Sequence, residues 1–362
     1  MTLEGVRWGE FFISDVAEII SGRDIYEDER VLGLTPYIGA SALNNGITHF
    51  VSNTNESQEA GCISVNRNGS VGYAFYHPYE ALYSNDCRKL RLYHKSKYTA
   101  IFIATQITAQ RGKYSYGYKM GTARLMRQKI QLPVDESGRP DYAFMESFMR
   151  NIEQRLIRAY VGQVSVRLRN TPPQKLLSLC GVTWRGFYLR EVFTEIRRGK
   201  RLKTEDHITG NVPYVSSSAL NNGVDDFISN TDGVRKFNNC MTIANSGSVG
   251  TTFYHDYEFI ASDHVTALKA PHMSKYIYMF IAAMSQRLEE KYSFNREINE
   301  TRINREKIML PVTPSGLPDW QLMHNYMLSL ETQHLSSVLT HFTAKLHRAY
   351  NLPQNSQGEI SS

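Results

Sequence analysis

The chain has 362 residues, of which 41% are hydrophobic and 21% charged, which is typical of a folded protein rather than a disordered one. Because 41 lysines and arginines outnumber 35 acidic residues, the net charge is +6, which favours an anionic partner. We find no apolar run of about 18 residues and no basic-then-apolar start, so we expect no membrane span, no secretory signal and a cytoplasmic location.

The sequence repeats itself with a shift of 176–178 positions, so that residues 8–149 correspond to residues 184–327. Trp8 returns as Trp184, and PYIGASALNNG (36–46) returns as PYVSSSALNNG (213–223). NGSVGYAFYH (68–77) returns as SGSVGTTFYH (246–255), and KIQLPVDESGRPD (129–141) as KIMLPVTPSGLPD (307–319). So many matches in one order predict a tandem duplication, in which each copy is one structural unit.

Each copy contains the same succession of predicted elements. The Asn-Asn-Gly segments at 44–46 and 221–223 are typical of turns. Residues 61–77 and 240–255 alternate apolar and polar side chains around a glycine-containing turn, which predicts hairpins that end at His77 and His255. Residues 98–110 and 276–292 have the length and apolar content of buried helices. Each copy is therefore predicted to be a mixed α and β unit.

A long helix is predicted after each copy. The LPV turns end the preceding strand, and Asp141 and Asp319 stand where they can cap a helix. Apolar residues then recur about every four positions, from Phe144 to Val164 and from Met323 to Leu346, which indicates amphipathic helices. Helices of this length are rods of roughly 40–45 Å. We expect them to pack on each other, and NTPPQKLLS (170–178) to end the first and begin the link to the second copy.

This layout resembles, from end to end, the specificity subunits of type I restriction-modification systems. The LPV-x-x-x-G-x-PD turn resembles that of the shorter specificity subunits of type IIB systems. The resemblance implies an α+β chain made of target recognition domain 1 (1–139), spacer helix 1 (140–170), a linker with target recognition domain 2 (171–317), spacer helix 2 (318–350) and a tail (351–362). It also implies that the helices form an antiparallel coiled coil with pseudo-twofold symmetry.

The resemblance further implies how the work is divided. Each target domain would read one half of a split site on double-stranded DNA. The helices would dock methyltransferase (modification) subunits or a fused restriction-modification subunit, and those partners would carry methylation and cleavage. S-adenosylmethionine and magnesium would be bound by the partners, and we expect no cofactor in this chain.

The residues themselves give an independent argument for DNA. Rods of about 40 Å suit DNA sites about one helical turn, 34–36 Å, apart. Between Asp86 and Lys129 the first copy has eleven basic residues and one acidic residue, whereas the matching stretch of the second copy has eight basic and six acidic. The second copy instead carries RRGKRLK (197–203). Because phosphate contacts need lysine and arginine, we expect the two copies to contact DNA through different loops.

Candidate DNA-binding residues lie in two places in the first copy and in three places in the second. KYSYGYKMGTAR (113–124) and KYSFNREINETR (291–302) share their ends and differ between them, as expected of loops that read different sequences. The hairpin turns differ as well, and the basic run is present in the second copy only. The predicted residues are Arg67, Asn68, Lys113, Tyr116, Lys119, Arg124, Arg198, Lys200, Arg201, Asn245, Lys291, Asn295, Arg296 and Arg302.

Two other classes of function stay open at this point. The chain could be a duplicated protein-interaction scaffold, or a nuclease, which would need clustered carboxylates with a nearby lysine. Glu289-Glu290-Lys291 has such a spacing, but its counterpart is Arg111-Gly112-Lys113. Cys62, Cys87, Cys180 and Cys240 form no C-x-x-C pair, so reduced thiols are expected rather than a zinc site. A non-catalytic DNA-recognition subunit is the interpretation that the sequence favours.

Overall fold

The computed structural model describes residues 2–115, 117–171, 175–271, 273–293 and 295–351. The chain divides into two compact units, Met1–Tyr160 and Val161–Ser362, and each is described by itself. Most of the predicted tail, 351–362, lies outside the described residues.

The first copy alternates strands with short helices before one long helix. Its strands are β1 (Trp8–Phe12), β2 (Ala17–Ser21), β3 (Leu32–Ile38), β4 (Ile47–Val51), β5 (Cys62–Asn66), β6 (Ala74–His77), β7 (Leu82–Tyr83), β8 (Cys87–Leu92) and β9 (Lys129–Pro133). Its helices are α1 (Ile13–Val16), α2 (Lys97–Ala109), α3 (Thr122–Met126) and α4 (Tyr142–Arg169).

The second copy follows the same order with one additional short strand and one additional short helix among the described residues. Its strands are β10 (Trp184–Tyr188), β11 (Glu195–Arg198), β12 (Thr209–Val215), β13 (Val224–Ile228), β14 (Lys236–Phe237), β15 (Cys240–Ala244), β16 (Thr252–His255), β17 (Phe259–Ala261), β18 (Val265–Lys269) and β19 (Lys307–Pro311). Its helices are α5 (Leu189–Val192), α6 (Lys275–Ser285), α7 (Leu288–Lys291), α8 (Glu300–Ile303) and α9 (Trp320–Asn351).

The sheets of the two copies have the same topology, so the predicted duplication is confirmed. An antiparallel sheet has the order β2-β8-β5-β6 in the first copy and β11-β18-β15-β16 in the second. Both predicted hairpins are present, since β5 pairs with β6 and β15 with β16 in antiparallel register. A second sheet has the order β4-β3-β7 in one copy and β13-β12-β17-β14 in the other. The fold is thus of the predicted mixed α and β class.

Each copy contains a buried helix, as predicted, and this helix packs on the antiparallel sheet. Ile103 and Ile107 of α2 are fully buried in one cluster with Leu90 of β8. Ile281 of α6 is equally buried in the cluster that holds Leu268 of β18. The second helix was predicted to run to residue 292, but α6 ends at Ser285 and α7 follows as a separate turn.

The repeated turn and hairpin motifs serve the scaffold. Asn44, Asn45, Asn221 and Asn222 all have positive φ angles of 51–57°, which asparagine tolerates better than most residues. His77 lies with Nε2 2.8 Å from Ser64 Oγ, and His255 lies with Nε2 2.9 Å from Thr242 Oγ1. Burial lowers the pKa of both imidazoles to about 4, so both histidines are neutral structural residues at pH 7.

Both long helices begin as predicted. Asp141 Oδ1 accepts a hydrogen bond of 2.9 Å from Phe144 N, and Asp319 Oδ1 accepts one of 2.9 Å from Leu322 N. These bonds satisfy backbone donors of the first turn. With 28 and 32 residues, α4 and α9 are about 42 and 48 Å long.

The apolar stripe of α4 is only partly buried in the chain. Ile157 and Val164 are buried, whereas Leu156 is 62% and Val166 48% exposed. At the other end of the helix, Met145 is fully buried in the core of the first copy.

Within the described ranges, no helix is both long enough and apolar enough to span a bilayer.

Candidate nucleic-acid interface

The two predicted reading loops each begin with a tight hairpin turn. Tyr118 N donates to Ser115 O at 2.9 Å, and Arg296 N donates to Ser293 O at 2.8 Å. Asn295 and Arg296 are exposed at the turn of the second copy. Tyr116, a predicted contact residue at the first turn, lies outside the described residues.

The arginine that closes each loop has a structural role. Arg124 Nη1 donates to Lys119 O at 2.7 Å, and Arg302 Nη1 donates to Glu297 O at 2.5 Å. These equivalent bonds hold the two loops in one shape. Both arginine side chains are nevertheless exposed, and the Arg124 guanidinium lies 4.0 Å from the Tyr118 ring centroid.

The lysine that opens each loop differs in its partner. Lys113 is exposed, and its Nζ donates to the amide oxygen of Gln110 at 2.7 Å. Lys291 Nζ instead lies 2.7 and 2.8 Å from the two carboxylate oxygens of Glu306. Gln128 occupies the equivalent position in the first copy, where it bonds Tyr114 as Glu306 bonds Tyr292. The charge of Lys291 is thus compensated within its own copy.

Part of the basic stretch in the first copy is buried or ion-paired, so the stretch presents less uncompensated positive charge than its composition suggests. Lys89 is buried beside Glu59, with 2.6 Å between Nζ and Oε2. Arg88 is buried as well. Arg91 forms ion pairs with both Glu59 and Glu18. Lys97 pairs with Glu153, and Lys129 pairs with Glu10. Lys95, Lys97 and Lys129 are exposed, but more of the exposed basic residues of this stretch lie between residues 111 and 127. Arg111, Lys113, Arg124 and Arg127 are exposed there, and Lys119 is half-buried.

The basic run of the second copy begins at the end of β11. Arg198, Lys200 and Arg201, which are predicted to contact DNA, are exposed to solvent. Arg197, Arg198 and Arg235 line a cavity of 170 Å³ whose wall also contains Glu300 of α8. The run and the reading loop of this copy therefore meet at one place, although they are about 100 residues apart in sequence.

The two hairpin turns differ as predicted, but one predicted contact residue faces inwards. Arg67 and Asn68 are half-buried, and Asn68 Nδ2 donates to Asp86 Oδ1 at 3.0 Å. Asn245 is 1% exposed and accepts a 2.8 Å bond from Thr266 Oγ1. Because its amide is engaged inside the protein, Asn245 supports the fold rather than reading a base edge.

Several arginines of this surface were not among the predicted contact residues. Arg111 and Arg127 belong to the basic stretch noted in the sequence, and Arg197 to the basic run, so composition could have found them. Arg235 stands alone in sequence, and only the fold brings it to the cavity beside Arg198.

Comparisons with known proteins identify the family of this chain. The family model described as the type I restriction modification DNA specificity domain matches residues 5–159 and 181–340. A curated relative, "Type II restriction enzyme BgcI specificity subunit S.BcgI" of Heyndrickxia coagulans, is 39% identical over 158 residues, which are 43% of this chain and 46% of the relative. The match thus spans about half the length of that protein.

Two solved structures match over almost the whole chain. The S subunit of a type I restriction-modification system from M. genitalium has 15% sequence identity and a TM-score of 0.49, covering 98% of this chain and 99% of its own. The HsdS subunit from Thermoanaerobacter tengcongensis has 15% identity and a TM-score of 0.30, covering 99% and 95%. Since the family model covers both copies, the chain belongs to the family of type I restriction modification DNA specificity domains.

Proposed function

We propose that this chain is the DNA-specificity subunit of a restriction-modification complex, and that each copy reads one half of an asymmetric, bipartite site on double-stranded DNA. One observation carries the proposal: the two copies share the same fold but differ in where their exposed basic residues lie. In the first copy, residues 111–127 include exposed basic side chains and no acidic residue, whereas the equivalent stretch of the second copy, 289–305, has four basic and four acidic residues. The second copy has an exposed basic run at 197–201 instead. Different contact surfaces on one scaffold suit two different half-sites.

The long helices support a spacer role. Lengths of about 42 and 48 Å exceed one helical turn of DNA, about 34–36 Å. We therefore propose target recognition regions at 1–139 and 171–317, spacer helices at 140–170 and 318–350, and unread bases between the half-sites. The antiparallel coiled coil of the two helices is part of this proposal.

Exposed apolar side chains on α4 support a docking role for the spacer. Leu156, Tyr160 and Val166 are 62%, 43% and 48% exposed, and exposed apolar side chains on a helix are common at protein interfaces. We propose that modification subunits dock here and carry methylation, with S-adenosylmethionine and magnesium bound by the partners. In this account the chain contributes recognition and no catalytic group, and acts in the cytoplasm.

A selection experiment tests the proposal. The full chain, with and without its modification subunit, is incubated with a library of random-sequence duplexes, and the bound DNA is sequenced. We expect two short, different sequence blocks separated by a constant number of unread bases, with binding that weakens steeply as salt rises. A duplicated scaffold that binds other proteins would enrich no sequence, and that result would reject the DNA function.

A further inference from the structure

One backbone carbonyl in each copy holds a guanidinium group. Asn85 and Asp263 each stand two residues before a strand, β8 or β18, and are equivalent in the duplication. Asn85 O accepts bonds from Arg67 Nη1 at 3.3 Å and from Arg88 Nη1 at 2.9 Å. Asp263 O accepts one from Arg198 Nε and one of 3.4 Å from Asn245 Nδ2.

These arginines come from different elements in the two copies. In the first copy, Ser21 of β2 pairs across the sheet with Arg88 of β8. In the second copy the equivalent pair is Arg198 of β11 with Thr266 of β18, so the arginine stands on the opposite strand. Arg67 and Asn245 also occupy equivalent positions. The backbone N–H of Arg67 donates to Asp86 O at 2.9 Å, and the backbone N–H of Asn245 donates to His264 O at 2.7 Å. The guanidinium is therefore retained at the carbonyl although its position in the sequence changes.

One of these arginines in each copy reaches solvent. Arg88 is 6% exposed, and its Nε donates to Thr122 Oγ1 at 2.7 Å, so it acts within the fold. Arg67 is half-buried at the hairpin turn, and Arg198 is exposed at the end of its strand. Arg67 and Arg198 are thus the members of the two sets that an external ligand can contact.

The surroundings of both positions favour an anion. In the first copy, Arg67 and Arg88 share one neutral acceptor. Burial and the charge of Arg67 lower the pKa of Arg88, and the nearby Asp86 carboxylate offsets only part of this effect. In the second copy, three arginines and one carboxylate line the cavity that contains Arg198. An anion at either position would relieve the repulsion between neighbouring guanidinium groups.

We propose that Arg67 and Arg198 are equivalent anchors, each of which binds one DNA phosphate. This inference rests on the proposed function and adds a role for two residues within it. Both copies keep a guanidinium group at the same place although they are proposed to face different half-sites. Such a group is expected to contact the sugar-phosphate backbone, because the backbone is the same in every DNA sequence. The carbonyl bond uses one of the five guanidinium donors and orients the remaining fork.

The two copies themselves supply the test substitutions. Arg67→Asn introduces the residue of the second copy, and Arg198→Ser introduces the residue of the first. Binding is measured with the full chain, its modification subunit and the duplex recovered by selection. Each change should weaken binding about 5-fold at about 0.15 M salt, because one phosphate contact adds about 0.9 to the salt slope. The slope of log K against log salt should fall by about 1, and the selected sequence should stay the same.

Further variants keep the result interpretable. The double variant should lose about 25-fold with a slope change of about 2, since separate contacts are additive. Arg67→Lys and Arg198→Lys keep the charge and should keep the slope. Exposed arginines at the LPV turns, Arg139 and Arg185, are matched controls whose alanine variants should bind as the unchanged chain does. Equal thermal midpoints would show that all variants are folded.

Three results would overturn the inference. Unchanged affinity and slope in Arg67→Asn and Arg198→Ser would show that these residues do not contact DNA. A changed base preference in one half-site with an unchanged slope would make them base readers instead of phosphate anchors. If the unchanged chain shows no salt-sensitive, sequence-selective binding, the proposed function fails as well, so the two failures are distinguishable.

Discussion

Replacing Arg111, Lys113 and Arg127 together with alanine is expected to weaken DNA binding by about 100-fold at about 0.15 M salt. All three are exposed, and they donate to uncharged groups, namely Thr108 O, Gln110 Oε1 and Ala123 O. If each contacts one phosphate, the three contribute about 2.7 to the salt slope. Titration of the selected duplex at several salt concentrations measures both the affinity and the slope.

The location of the loss matters as much as its size. In an ethylation-interference assay, the triple variant should show fewer phosphate contacts in one half-site only, because the three residues belong to one copy. The matched control removes an ion pair of the same copy, Glu10→Ala with Lys129→Ala, which leaves the net charge unchanged. Equal loss in the control, or loss of contacts in both half-sites, would show that the loop is not the contact surface of its half-site.

Replacing Glu59 with glutamine is expected to destabilise the first copy by about 2–3 kcal/mol. Glu59 accepts from Lys89, which is 2% exposed, and from Arg91 at 2.7 and 2.9 Å. Removing one partner leaves a buried charge without compensation, which costs more than removing both. The Lys89→Ala, Glu59→Gln double variant should therefore be more stable than Glu59→Gln alone.

The same pair gives a pH dependence with a defined sign. Hydrogen bonds from Arg91, and then from Lys89, lower the pKa of Glu59 from 4.5 to about 2. The stabilisation is therefore complete above about pH 4.5 and is lost as the pH falls through about 2. The unchanged chain and Glu59→Gln should converge in stability over that range.

Native-state hydrogen exchange can measure this effect in each copy separately. Amides of β5 (62–66) should exchange faster in Glu59→Gln, whereas the exchange of amides in β15 (240–244) should not change. In the second copy, Phe237 and Ala267 occupy the positions of Glu59 and Lys89, so the ion pair is absent there. The exposed pair Arg23–Glu56 provides a control, since Glu56→Gln should leave both strands unchanged. Equal acceleration in both strands would contradict the local role of Glu59.

The scaffold could be predicted because its signals are local. The hairpins, the Asn-Asn-Gly turns and the caps Asp141 and Asp319 depend on neighbouring residues, and the duplication shows each of them twice. The charged surface depends on residues distant in sequence. Lys89 belongs to the basic stretch that favours phosphate contacts in the sequence, but the fold places it beside Glu59. Arg67 and Arg198 reach equivalent carbonyls from 18 and 65 residues away, which no local pattern reveals.

The central claim is that each copy reads its own half-site, and a chain with two first copies tests it most directly. Residues 184–319 are replaced with the sequence of residues 8–141, and the chain is put through selection with its modification subunit. We predict that the bound DNA contains the half-site of the first copy twice, with the second original half-site absent. Recovery of the original asymmetric sequence would contradict the claim, because the second copy could then not be the source of the second half-site.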